Sequence, residues 1–315
     1  MSKLHLKIVI PAELENKRLD QALSQLCPEH SRSRIQSWIK AGDVSVNKTI
    51  YKQRSEVNHG DVVEIETEIN HFDKHHAEAI DLNIVYEDAS LIVINKPAGL
   101  VVHPGAGNPN HTLVNALLNF DKNLDELPRA GIIHRLDKDT TGLLMVARTL
   151  ESHTLLVKQL QQREIKREYQ AIVCGQLTSG GSIENKMGRH PKQRIKMAVT
   201  NNGKIATTHY RILKKYKHYT HLYLQLETGR THQIRVHMSH LKHPILGDPV
   251  YGNNNSVRKG LDPELRHLIT NFHRQALHAY ALQLTHPLTK EIMAFNADLP
   301  TDLCALIDTL NTYDL

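Results

Sequence analysis

Leu19, Ala22, Leu23 and Leu26 recur at three- and four-residue intervals, which marks one apolar face of a helix, and Pro28 ends the pattern. Ser31 is placed to cap a second helix, with Ile35, Trp38 and Ile39 on one face, Arg32 and Arg34 off it, and Gly42 at its end. Val44 and Val46, then Val62, Val63 and Ile65, read as short strands separated by turn residues. Together these segments predict a small α/β module over residues 1–70. From Thr67 to Ala79 the chain is polar and histidine-bearing with few apolar anchors, so a linker is expected over 71–80.

A larger domain is expected over 81–315. Ile84–Glu87 reads as a strand, and the apolar run Leu91–Ile94 as a buried one that ends at Asn95-Lys96-Pro97. The glycines and prolines of His103–Pro109 demand a tight loop. Leu143–Ala147 is a second buried run, and Leu155, Leu156 and Leu160 give residues 152–164 a helical period. Tyr169–Val173, Ile195–Val199, Thr207–Leu213, Leu222–Leu226 and Ile234–Met238 then read as strands alternating with turns. Many short strands with few helices imply an α+β fold built on antiparallel sheet.

With 315 residues the chain is long enough for one large domain and a small one. No apolar run approaches the roughly 20 residues needed to cross a bilayer, and Met1–Lys7 lacks a secretory core, so a cytoplasmic protein is expected. Cys27, Cys174 and Cys304 are too far apart for a disulfide framework or a zinc knuckle. The net charge of +6, with 22 histidines, suits a polyanionic partner but does not separate RNA from DNA or an acidic membrane.

Chemistry concentrates in His134-Arg135-Leu136-Asp137-Lys138-Asp139-Thr140-Thr141-Gly142, directly ahead of the apolar run at 143–147. The two carboxylates sit two residues apart, on one side of an extended segment, and Arg135 beside them favours the ionised form. An ionised, partly desolvated aspartate can serve as nucleophile or base, whereas a polar turn between strands needs no such role. Two other patterns carry less. Gly105-x-Gly107 lacks the third glycine and following acid of a dinucleotide site, and His71, His75 and His76 lack the carboxylate or cysteine that would complete a metal site. Neither metal nor cofactor is expected.

The charged run, together with Arg167-Glu168-Tyr169-Gln170-Ala171 and Glu227–Met238, resembles the pseudouridine synthases of the ribosomal large-subunit type. The similarity extends through Asn95–Asn108, Ile245–Gly252 and Ala276–Ala279 and covers nearly the whole chain. The amino-terminal segment, through Ser31–Ile35 and Val44–Asn47, resembles an S4 RNA-binding domain. The resemblance implies a mixed, largely antiparallel sheet bent around a central cleft, with the S4-like module tethered by the linker. It also implies isomerisation of uridine to pseudouridine, in which the glycosidic C–N bond breaks, the base turns, and the sugar joins a ring carbon. The implied substrate is large-subunit ribosomal RNA at the helix-69 stem-loop; another ribosomal or transfer RNA site is the alternative. A monomer that binds neither DNA nor membrane is expected.

By resemblance, Asp137 is the catalytic aspartate, Tyr169 packs on the target base and serves proton transfer, and Arg235 pairs with the carboxylate. Arg135 fits the arginine that takes the place of the flipped nucleotide, Arg230 is a substrate or structural contact, and Lys96 and His103 line the cleft rim. If 234–238 is a strand, Arg230 and Arg235 face opposite sides. Arg32, Arg34, Lys40 and Lys48 become the phosphate contacts of the S4-like module. His134, His232 and His237 are read as structural hydrogen-bonders. Two other classes compete: a phosphoryl-transfer enzyme working through an aspartyl-phosphate, which needs magnesium carboxylates the chain does not supply, and a non-catalytic RNA-binding or ribosome-assembly factor.

Overall fold

Four strands, β1 (Ser2–Val9), β2 (Val44–Val46), β3 (Thr49–Ile50) and β4 (Val62–Ile69), pair antiparallel in the order β1-β4-β2-β3 in the computed structural model of the chain. The structure describes every residue except 1, 29, 31, 70–75, 106, 194, 253–256, 258, 259 and 315, and leaves the side chains of 2, 3, 33, 68 and 69 undescribed. It divides into two units, Met1–Lys74 and His75–Leu315. Ser31, expected as a helix cap, lies outside the described residues, as do His71 and His75 of the expected linker and Ala106 between the paired glycines.

In the first unit, helices α1 (Leu19–Leu26) and α2 (Arg32–Ala41) bury Leu19, Leu23, Ile35 and Ile39 against Val44, Val46, Val63 and Ile65. The register pairs Val44 with Ile65 and Val46 with Val63, which places all four on one sheet face. Gly42, at φ +86°, closes α2: Asp43 N donates to Trp38 O and Gly42 N to Ile39 O, satisfying carbonyls at the helix end.

The second unit holds the strands β5 (Ile84–Glu87), β6 (Leu91–Lys96), β7 (Thr141–Ala147), β8 (Lys166–Cys174), β9 (Gly181–Arg189), β10 (Met197–Val199), β11 (Lys204–Lys215), β12 (Tyr219–Leu226), β13 (Leu277–Thr285) and β14 (Ile292–Asn296). They form one sheet in the order β10-β9-β11-β12-β8-β13-β7-β6-β5, with β14 paired to β13. Every pairing is antiparallel except β13 with β7. Five α-helices among the described residues flank it: α3 (Leu113–Phe120), α4 (Leu150–Gln161), α5 (Gln233–His240), α6 (Pro263–Asn271) and α7 (Thr301–Tyr313).

The continuous apolar runs have a direct cause. Ile92, Ile94, Leu144 and Val146 enter the main core with α3, whereas Leu91, Val93, Leu143, Met145 and Ala147 enter a second core with Leu156 of α4. β6 and β7 are thus covered on both faces. At the start of β7, Gly142 has φ +111°, and a Cβ there would fall 2.2 Å from Ala279 O of β13, so only glycine allows the parallel contact.

The strand expected at Ile234–Met238 is instead part of α5. Its residues alternate apolar and polar, but both sets are buried, because Gln233, Arg235 and His237 are enclosed by partners and no polar stripe remains to show the helical period. Residues 76–80, inside the expected linker, are fastened to the larger unit: Asn115 Nδ2 donates to His76 O at 2.7 Å and Glu78 N to Asn115 O at 3.0 Å.

Candidate active site

The charged run forms the loop that enters β7, and its backbone is braced from beneath. Gln275 Nε2 donates to Thr140 Oγ1 at 2.9 Å, and Thr140 N closes a turn on Asp137 O at 3.1 Å. Lys96 is the third brace. The sequence places it at the cleft rim, but the structure buries it completely, and its ammonium donates to Pro97 O, Leu100 O and Lys138 O at 2.7, 2.9 and 2.8 Å. Three carbonyls use its three protons, so none is left for substrate. Burial pushes its pKa down to about 8, and the charges of Asp139 and Asp137 offset only part of that.

Above the loop opens a cleft of about 740 Å³ that contains Asp137, Tyr169 and Arg235. Arg235 Nη1 donates to Asp137 Oδ2 at 2.9 Å, and no hydrogen bond among the described residues reaches Oδ1. The same guanidinium grips Asp248, with Nε and Nη2 donating at 2.7 and 2.8 Å, and Val250 N and Tyr251 N donate to Asp248 Oδ1 as well. Burial works against the charge on Arg235, but its hydrogen bonds with Asp248 and the charges of both aspartates raise its pKa above the ordinary guanidinium value. Burial likewise works against the Asp248 carboxylate, and Arg235 overrides it, so that pKa is lowered. Tyr169, on β8, is buried, which raises its pKa and keeps its hydroxyl protonated.

The three motif histidines have defined partners or positions. His134 Nε2 accepts from Met145 N at 3.2 Å, and burial pushes its pKa down to about 3. His237 Nδ1 meets Thr208 Oγ1 at 2.9 Å, and burial lowers it to about 4. His232 is the left-handed residue at the start of α5, with φ +58°, and its Nδ1 lies 2.8 Å from the Tyr251 hydroxyl and its Nε2 3.8 Å from Asp137 Oδ1. Burial lowers its pKa too, against the pull of Asp137.

Arg135, Arg230 and His103 all line the cleft. Because α5 begins at Gln233, Arg230 sits in the preceding turn and Arg235 in the helix, and both face the cleft, contrary to the alternation expected of a strand. Arg230 is exposed, with Nε 3.4 Å from Ile205 O. The walls hold six arginines, 129, 135, 163, 167, 230 and 235, against the carboxylates of Asp137 and Glu227, so the cleft is basic and suited to a phosphate backbone.

Sequence reasoning misses Asp248, which lies in a motif that stands out only for its resemblance, and Arg167, which reads only as part of the motif around Tyr169. The signal for Asp248 is a single acid between an apolar pair and a proline in Ile245-Leu246-Gly247-Asp248-Pro249.

In the smaller unit, Lys40 and Lys48 are exposed, and Lys48 is held outward at a hairpin turn with φ +66°. Arg32 is exposed as well, but Nη2 donates to buried Asp20 at 2.8 Å, where Arg18 Nη2 and Gln36 Nε2 also donate at 2.9 and 2.6 Å. Arg34 lies on the same helix and is partly exposed.

A family model described as RNA pseudouridylate synthase matches residues 90–240, and one described as the S4 domain matches 17–63. Ribosomal large subunit pseudouridine synthase D of Pasteurella multocida is 50% identical over 309 residues, 96% of this chain and 95% of its own. The protein of the same name from Pseudomonas aeruginosa is 50% identical over 301 residues, 96% of this chain and 94% of its own. Among solved structures, human RNA pseudouridylate synthase domain containing 4 aligns with a TM-score of 0.58 at 25% identity, covering 74% of this chain and 94% of that one.

Proposed function

The chain belongs to the RNA pseudouridylate synthase family, isomerases that act on RNA, and on that footing we propose that it converts uridines of large-subunit (23S) ribosomal RNA to pseudouridine, in the helix-69 stem-loop. The names of its relatives support the choice of RNA, and unstacked loop bases are cheaper to extrude than paired ones. The observation that carries the reading is the ion pair of Asp137 with Arg235 in a basic cleft that also holds Tyr169.

In this reading residues 1–70 bind RNA, and 81–315, with 76–80 fastened to them, carry the chemistry. Arg32, Arg34, Lys40 and Lys48 meet phosphates and set position rather than sequence. Arg135 occupies the gap left by the extruded nucleotide, where a planar guanidinium stacks and donates, and Arg230 and His103 contact RNA at the rim. Arg235 anchors Asp137 by Oδ2 and leaves Oδ1 to act on the ribose or the ring. Tyr169 packs on the base and passes a proton through its hydroxyl. The protein works as a monomer in the cytoplasm. Among the described residues no helix is long and apolar enough to cross a membrane.

The test is mapping. Large-subunit ribosomal RNA transcribed without modification is incubated with the protein, labelled with carbodiimide and read by primer extension. Stops at helix-69 uridines support the proposal, and an absence of stops anywhere in that RNA rejects it.

A further inference from the structure

Arg167 is a buried cation to which the proposed chemistry gives no role. It is 5% exposed, lines the cleft, and precedes Tyr169 by two residues on β8, so both side chains project from one face of the strand. Its Nη2 reaches the Glu227 carbonyl at a long 3.4 Å, its Nε has no hydrogen-bond partner, and no ion pair to it is found among the described residues. The other arginines of the larger unit that are buried to a like degree are neutralised, Arg235 by two aspartates and Arg274 by Asp302, and half-buried Arg148 pairs with Asp121. A guanidinium taken out of water without a counter-charge is unfavourable, and burial lowers the pKa of Arg167 accordingly. Gly229 leaves it room, since a Cβ there would fall 2.6 Å from Nη1.

The isomerisation supplies the missing anion. When the C1′–N1 bond breaks, its electron pair stays on the pyrimidine ring, spread over N1 and the two carbonyl oxygens. If the carboxylate instead adds to ring C6, the charge appears on O4. In either case the ring passes through an anionic stage. When ring C5 then bonds to C1′ with that pair, N1 takes up one proton and C5 gives one up to solvent, so the product is a neutral isomer.

We propose that Arg167 is a catalytic residue whose guanidinium binds the extruded uracil ring and stabilises the negative charge it carries during the rearrangement. A donor aimed at developing charge in an enclosed site acts on the transition state more than on binding. This inference rests on the synthase reading of the cleft.

The test uses the full chain and a uridine stem-loop RNA, with single-turnover conversion and filter binding measured side by side. Arg167→Ala is expected to lose about 100- to 1,000-fold in rate while RNA affinity stays within about 3-fold. Guanidinium chloride at ~20 mM is expected to restore part of that rate and none of the rate of Asp137→Asn. The pair Arg167→Lys and Arg167→Gln keeps a long polar side chain in case the alanine variant does not fold, and the lysine variant is expected to be at least about 10-fold faster. Equal rates for that pair, a rate in Arg167→Ala within about 3-fold of wild type, or a fall in affinity that accounts for the fall in rate overturns the role of Arg167. An inactive wild type would instead remove the synthase reading.

Discussion

Arg235 binds Asp248 through Nε and Nη2, at 2.7 and 2.8 Å, and turns only Nη1 to Asp137, at 2.9 Å. The two-pronged grip on Asp248 fixes the plane of the guanidinium, so the single bond to Asp137 has a defined direction. Asp137 is therefore positioned by a residue that it does not touch.

Asp248→Asn is expected to lose about 3 kcal/mol of stability, because it leaves a buried arginine short of one counter-charge. The single-turnover rate is expected to fall at least about 10-fold as Arg235 loosens. The pKa of Asp248 is lowered in the native state, so its contribution to stability is intact above 3.8, the ordinary value, and is lost as pH falls through the native one. Urea unfolding and rapid-quench assays check both effects, and a variant matching wild type in each contradicts the positioning role.

Lys96→Met is expected to cost about 3 kcal/mol, since three carbonyls lose the donor that the buried ammonium supplies to them at once. One of them belongs to Lys138, beside Asp137, so the catalytic rate should fall more than RNA affinity does. Urea unfolding, with filter binding and turnover measured on the same preparation, separates this bracing role from a substrate contact, in which affinity would fall first.

Much of this architecture is legible in the order of the amino acids. The buried runs at 91–94 and 143–147 mark two central strands, because burial on both faces leaves an unbroken apolar signature. Asp137, Tyr169 and Arg235 are legible because each sits in a motif. α5 is not, because Thr207 and Thr208 of β11, with Asp137 and Asp248, hold its polar residues in buried positions and erase the polar stripe. Lys96 is misplaced for a related reason: a lysine is ordinarily a surface residue, and only the fold brings three carbonyls around it. The unpartnered state of the Arg167 Nε is a property of its surroundings, which no local pattern encodes.

Acid should weaken the fold through its buried and half-buried histidines. His134, His221 and His237 have native pKa values pushed by burial to about 3, 4 and 4, whereas unfolded histidine takes up its proton near 6.5. The unfolded chain therefore binds more protons between about pH 4 and 6.5, and stability falls as pH drops through that window, by up to about 1.4 kcal/mol per unit for each histidine. His221→Gln should flatten the slope of urea midpoints between pH 7.5 and 5, and a slope parallel to wild type would show that His221 charges without penalty.

Tritium release from RNA labelled at uridine C5 tests the central claim most directly, because that hydrogen leaves the carbon that joins the sugar. Wild type is predicted to release one tritium for each pseudouridine formed, and Asp137→Asn to release none above background while binding the RNA as tightly. Equal release by the two proteins would contradict the account.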